Sequence, residues 1–407
     1  AQCLVGSEMC IRDRLSVTAQ KPCSTGSGVY LTEVVRSLAK MGVSQAVVAG
    51  VTREDRVDMP EGVTVYPVYF SSEKLPYPVV GMSDDMPYTS TRYRDMTEEM
   101  AGQFKAAFFE VLDEAIEKEN PDIILCHHLY YLTALIRAHY PAKKVYGFCH
   151  NTDLRQMESI LFERNFIRQE IPKLDRIFAL QEAQKEKIKK IYPVSEKQMT
   201  VIGTGYNSEV FKKTGIKLSR KDGKIRMIFA GKITQKKGVK SLLRALNLLD
   251  YEKEKIQLIL AGGAGNLVEY EEIKELADGC RYPVVFAGCV TQSRLAELYN
   301  DCDIFVLPSM YEGLPLTVIE SLACGDRVVM TKLEGIAEWL ADMVPDADIR
   351  YVLPPGMKGT DEPLEEELPA FESRLAEALR EAIEEKDTKE CDVSRISWQK
   401  IAREVIR

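Results

Sequence analysis

Two lysines in the glycine-bounded stretch GKITQKKG have types and spacing suited to polyanion chemistry. Lys232 and Lys237 bracket a short turn that leads into a helix start at Gly238. Helix N-termini present N–H groups that attract anions, and two ammonium charges beside one suit a diphosphate. The pattern is not the Walker loop, which requires its own glycine and Lys-Ser/Thr spacing. Downstream, Glu312 and Glu320 are eight apart in YEGLPLTVIESLACG, with Pro315 where a first helical turn tolerates proline and Gly325 where a helix ends. That spacing puts the first carboxylate on a loop and the second about two turns into a helix, so both could line one ligand and accept hydrogen bonds from sugar hydroxyls. Taken singly, each pair also reads as solvated surface charge.

Three of the four histidines, His127, His128 and His150, fall at the ends of strand candidates, where packed histidines are equally common. No His/Cys/Asp cluster has zinc-like spacing, and no Asp-x-Asp follows a strand to hold a metal–diphosphate pair. The expectation is therefore that lysine charge takes the place of a metal, with no metal and no other cofactor.

The elements that must position these residues alternate regularly. In the first half the strand candidates are Leu15–Thr18, Gln45–Ala49, Val63–Tyr66, Ile123–Cys126, Val145–Cys149, Arg176–Leu180 and Thr200–Ile202. Helical periodicity covers Val29–Met41 and Glu98–Lys118, the latter ended by Asn120-Pro121. A second alternation brings Ile225–Ala230, Ile256–Ala261, Val284–Ala287, Ile304–Leu307 and Val328–Thr331, with Thr291 as an N-cap. Helical patterns near 370–385 and around Trp398 follow. Strand and helix in series predict an α/β fold of two Rossmann-like doubly wound parallel sheets, whose ligands bind beyond the carboxyl ends of the strands. The residues just past those ends are Gly26, Ser27 and Gly28, His127 and His128, His150, Lys232 and Lys237, Gly262 and Gly263, and Glu312.

The predicted organisation is a segment 1–14 foreign to the fold, a first domain 15–211, a linker 212–224 that reads as flexible, a second domain 225–390 and a terminal helix region 391–407. The opening AQCLVGSEMCIRDR has neither helical nor strand period and resembles a translated sequencing-adaptor scar, which would place the native start near Leu15. Net charge is −8 with both signs interleaved, which argues against nucleic acid as a partner. The lysine-rich stretches 185–190 and 212–221 read as a solvated helix face and a surface linker, with anionic lipid as the alternative partner. Ten cysteines without a Cys-x-x-Cys pair, with Cys126, Cys149, Cys289 and Cys302 in or beside apolar runs, point to a reducing compartment. No run approaches the roughly 18 apolar residues of a membrane span, so the expected place is the cytoplasm, with peripheral contact at the inner membrane face as the alternative.

Together these segments resemble the retaining nucleotide-sugar glycosyltransferases of the GT-B fold, in particular glycosyltransferase family 4. Gly231, Lys232, Lys237 and Gly238 are similar to the family's basic second-domain signature, and Glu312 through Glu320 to its Glu-x7-Glu motif. TGSG resembles its acceptor-side glycine loop, PDIILCHH and FCHNTDLRQ its strand-end histidine segments, VIGTGYNSEVF its crossover segment, and SWQKIAR the helix that returns to the first domain. The family commonly has arginine where this chain has Lys232, whose ammonium supplies charge without the planar fork.

The resemblance implies a metal-independent hexosyltransferase acting across a cleft between the domains, in cell-envelope, exopolysaccharide or small-glycoside synthesis. Its donor would be a nucleotide-sugar such as a UDP-sugar, and its acceptor a glycan, a lipid-linked sugar or a small molecule. By the same resemblance His150, Lys232, Lys237 and Glu312 are catalytic. Gly231, Lys232, Lys237, Gly263, Glu312, Gly313, Leu314 and Glu320 bind the donor, Glu320 at its ribose. Gly26, Ser27, Gly28, His127 and His128 face the acceptor. The alternatives are a GT-B-type nucleotide-sugar epimerase and a non-catalytic nucleotide-sugar-binding subunit.

Overall fold

The computed structural model describes residues 13–22, 24–84, 86–215, 217, 220, 222–264, 266–385 and 391–407. The chain forms two compact units. One runs through Gly203 and takes in Trp398–Arg407; the other is Thr204–Ser397.

The first unit alternates β1 (Arg14–Thr18), α1 (Gly26–Lys40), β2 (Gln45–Val51), β3 (Thr64–Tyr69), α2 (Glu98–Glu119), β4 (Ile123–His127), α3 (Tyr131–His139) and β5 (Lys144–Phe148). It continues with α4 (Thr152–Ser159), α5 (Arg164–Glu170), β6 (Arg176–Ala179), α6 (Glu182–Ile191) and β7 (Met199–Val201). The seven strands pair in parallel in the order β3-β2-β1-β4-β5-β6-β7. β1 and β2 are buried along their whole length because helices cover both faces, which is why they read as unbroken apolar runs. Asn120 ends α2 with φ +40, and Pro121 cannot extend the helix.

The last helix of the chain, Trp398–Ile406, belongs to this unit. Its buried face is Trp398, Ile401, Ala402 and Val405, spaced at the helical period. Trp398 meets Tyr30 of α1 edge-on at 4.9 Å, and Glu404 pairs with Arg176 at 2.7 Å.

In the second unit β8 (Ile225–Ala230), α7 (Val239–Asn247), β9 (Ile256–Ala261), α8 (Leu267–Asp278), β10 (Val284–Gly288), α9 (Gln292–Asp301) and β11 (Ile304–Leu307) follow one another. Then come α10 (Leu316–Ala323), β12 (Arg327–Thr331), α11 (Ile336–Met343), β13 (Ile349–Val352) and α12 (Leu368–Glu384). This sheet is also parallel, in the order β10-β9-β8-β11-β12-β13. Both sheets therefore reverse direction of growth at the first strand, and the crevice at such a switch point is where open α/β sheets bind ligands.

Several expectations change. Residues 1–12 of the segment read as foreign lie outside the described residues, but Asp13 and Arg14 are part of the fold. Arg14 pairs with Gln45 and Ile123, and the Asp13 carbonyl accepts from the Asp122 amide. The second unit begins at Thr204, so residues 204–211 leave the first domain; Phe211 is buried there against Tyr299.

Described residues within 212–224 make contacts with that unit. Thr214 donates twice to Asn300, Lys217 pairs with Asp326 at 2.5 Å, and Arg220 pairs with Asp303. On α6, Lys185 and Lys189 bridge to Glu182, Glu186 and Glu196, which partly neutralises the face. Cys289 is exposed, because β10 is an edge strand with little cover, whereas Cys126, Cys149 and Cys302 are buried. Among the described residues no helix is long and apolar enough to cross a membrane.

Candidate active site

At the switch point of the first sheet, β1 runs into the loop before α1 and β4 ends at His127. Thr25 caps α1 by accepting from the Gly28 amide at 3.2 Å, which sets Gly26 and Ser27 as the first helical residues. The Ser27 Oγ lies 3.1 Å from His128 Nε2 and 3.4 Å from the side-chain oxygen of Gln20. His127 is the last residue of β4, which runs one residue past the end read from the sequence, so that only His128 lies beyond the strand. Its Nδ1 is 3.0 Å from His150 Nε2, and its ring stacks on Phe148 with centroids 4.7 Å apart. Tyr30 packs edge-on to His150 at 5.2 Å and donates its hydroxyl to the Gly203 carbonyl. Seven side chains from two stretches of chain, Gln20–Tyr30 and His127–His150, thus form one cluster.

Burial pushes all three imidazoles down: His150 to about 3, and His127 and His128 well below 6.5, with the neighbouring histidines adding repulsion. They are neutral at physiological pH, so each ring offers one donor and one acceptor. The unfolded chain takes up protons near 6.5 that the folded chain refuses, so stability falls as pH drops below that value. Each histidine contributes roughly 1.4 kcal/mol per pH unit. Asp326, whose carboxyl pKa burial raises to about 7, gains its proton in the same window and offsets about one histidine. Chemical denaturation of the parent from pH 7 to 5.5 should therefore show a loss equivalent to about two histidines, reduced by about half in His127→Gln; an equal loss in parent and variant would mean that the His127 ring is not buried neutral.

The second site lies between β8 and β11. The β8 strand ends into Gly231 and Lys232, and a 3₁₀ turn Gln235–Lys237, capped by Thr234, carries the chain to Gly238 and α7. The Lys237 ammonium is 2.7 Å from Glu312 Oε1, and both groups are largely buried. Glu312, Gly313 and Leu314 lie on the loop after β11, and Pro315 is the N-cap of α10 and not a first-turn residue. Glu320 is consequently the fifth helical residue, little more than one turn in, because 313–315 stay non-helical. It is buried, and its charge adds to burial in raising the Tyr299 hydroxyl.

Gly262 explains the closeness of the loops: a Cβ there would sit 1.8 Å from the Gly231 carbonyl oxygen. At Gly263 it would meet the Cys289 sulfur at 2.8 Å. The Gly231 amide bonds to Ala261 and the Ile233 amide to Gly263, which extends the β8–β9 pairing into the lysine loop. That loop is held further by Glu269, which accepts from the Gln235 amide at 2.7 Å, and by the Lys236–Asp361 pair.

Residues 24–210 match the Glycosyltransferase Family 4 model, and residues 211–390 match the model of Glycosyl transferases group 1. The chain belongs to glycosyltransferase family 4. An uncharacterised glycosyltransferase of Methanocaldococcus jannaschii is 29% identical over 172 residues, 40% of this chain and 44% of that one. The alpha-maltose-1-phosphate synthase of Mycobacterium tuberculosis is 24% identical over 253 residues, 56% and 61% of the two chains. The chain thus spans about half the length of these relatives. Among solved structures, Anabaena HepE in complex with UDP-glucose superposes with a TM-score of 0.62 at 15% identity, covering 97% of this chain and 98% of the other. That likeness carries the fold, GT-B, with the two parallel-sheet units already described.

Within this family 4 chain, the predicted residues separate cleanly between the units. Gly26, Ser27, Gly28, His127, His128 and His150 belong to the first, and Gly231, Lys232, Lys237, Gly263, Glu312, Gly313, Leu314 and Glu320 to the second. Sequence reasoning missed Gln20, Tyr30, Asp153 and Glu269 as members of these clusters. Only Asp153 carried a signal, as an acidic residue in a first helical turn just after a strand-end histidine.

Proposed function

We propose that the chain is a retaining hexosyltransferase that moves a sugar from a nucleotide-sugar to a hydroxyl of a glycan, a lipid-linked sugar or a small molecule. The observation that carries this reading is the Lys237–Glu312 pair at the switch point of the second sheet, on loops that glycines allow to approach closely. On this reading the donor diphosphate lies against Lys232 and Lys237 at the α7 N-terminus. Their two ammonium charges balance it as it leaves, without a metal. Glu312, released from Lys237 by the incoming phosphate, turns to the hydroxyls of the donor sugar, and Glu320 holds the ribose. Gly231, Gly263, Gly313 and Leu314 shape the donor seat. Neutral His150 hydrogen-bonds near the reacting carbon, with Gly26, Ser27, Gly28, His127 and His128 on the acceptor side. A UDP-sugar is the first donor to test, by analogy with the bound UDP-glucose of HepE, and the cytoplasm, including its membrane face, is the proposed site of action.

The test is a thermal-shift and donor-hydrolysis screen of the full chain with UDP-, GDP- and ADP-sugars in the presence of a chelator. One nucleotide should stabilise the protein, by about 2.7 kcal/mol at a hundredfold excess over Kd, with slow release of the free sugar as the same anomer. Conversion of the donor to its epimer would establish the epimerase instead, and stabilisation with no turnover a binding subunit. No response to any nucleotide would end the donor-site reading.

A further inference from the structure

Asp153 is the most completely enclosed charge-bearing side chain beside the histidine cluster, with no exposed surface, although it sits in the second position of a short helix. One carboxylate oxygen accepts from the Leu129 amide at 2.7 Å; the other accepts from the Leu154 amide at 3.2 Å. Both lie within 3.3 Å of the His150 amide, and the Cys149 thiol points to the same group at 3.5 Å. Leu129 follows His128, and His150 follows Cys149, so a single carboxylate joins the loops that leave β4 and β5. These loops need such a clamp. His128 and Asn151 adopt φ of +75 and +71, a conformation that non-glycine residues keep only where their surroundings impose it.

We propose that Asp153 is a positioning residue for the transfer site, holding the His128 turn and the His150 backbone at the spacing that lets His150 reach His127 and face the donor sugar. The inference rests on the proposed role of His150 in transfer. Asp153 touches no reacting group itself; it acts by accepting amide protons from both loops at once. Asparagine has nearly the same shape but presents an NH₂ to one of those amides, so it cannot close the clamp on both sides.

The experiment compares Asp153→Asn, Asp153→Glu, His150→Ala and the Asp153→Asn/His150→Ala double variant in the full chain, by two independent readouts. In steady-state kinetics, Asp153→Asn should lower kcat about 100-fold while leaving the donor KM and nucleoside-diphosphate binding unchanged. The double variant should be no slower than His150→Ala alone. In histidine C–H NMR titrations, which need no activity, His150 is silent through the neutral range in the parent and titrates there in Asp153→Asn. Asp153→Glu keeps the charge and serves both readouts if the amide variant does not fold, with a smaller shift in the same direction. The proposal is overturned if His150 stays silent in the folded variant, or if the two losses multiply in the double variant. A parent without turnover would instead refute the transferase reading and leave the NMR result to decide this one.

Discussion

Lys237→Ala should leave a folded chain whose transfer rate is down about 1,000-fold, the scale seen when one preorganised electrostatic group is removed from a leaving-group or oxyanion site. The ammonium sits 2.7 Å from Glu312 on a turn fixed by the Thr234 cap, the Gln235–Glu269 bond and the Met310 amide bonded to Lys236. Its position is thus set before any donor arrives, and alanine removes the charge without disturbing those backbone contacts. The pair retains some solvent contact, so its loss should cost about 1 kcal/mol of stability or less. Initial rates together with thermal unfolding check the split: unchanged turnover would sink the assignment of Lys237, and a collapse in stability would make the rate loss structural.

Gly238→Ala should be among the most damaging single-methyl additions near the site. Its φ is +74, and the added Cβ would fall 2.0 Å from the Pro308 carbonyl oxygen and 2.7 Å from the carbonyl carbon. Backbone atoms cannot rotate aside, so the turn bearing Lys237 must move away from β11. The left-handed conformation alone costs about 1–2 kcal/mol for a non-glycine residue, and the clash should bring the total to about 3–5 kcal/mol with transfer lost. Gly288→Ala is the control, since its φ is +69 but nothing lies within 4 Å of the new methyl. Equal unfolding midpoints for the two variants would show that the close approach of Gly238 to Pro308 carries no energetic weight.

Much of the fold was legible because buried parallel strands write themselves as local apolar runs. Ile225–Ala230, Ile256–Ala261 and Ile304–Leu307 have the ends read from the sequence, and Thr291 caps its helix by accepting from the Arg294 amide. The edge strand Ile349–Val352 was not legible, since three of its four residues are only partly buried and it lacks an unbroken apolar run. The depth of Glu320 in its helix was misjudged for a related reason. Residue spacing counts turns only where the chain is helical, and nothing local shows that 313–315 remain outside the helix. The partners of Thr214, Lys217 and Arg220, namely Asn300, Asp326 and Asp303, were not legible, because the polarity of the stretch, read alone, does not name distant partners.

The class of fold, the order of the strands and helices, and the residue types that stand just past the strand ends are all legible in the chain itself, because each depends on patterns within a few turns. Which of those residues meet follows from how each unit packs. The His127–His150, Lys237–Glu312 and Ser27–His128 contacts join positions 23, 75 and 101 residues apart. The latter two depend on the first strand of each sheet lying beside the fourth, a strand order set by the packing of the whole domain that no local period records.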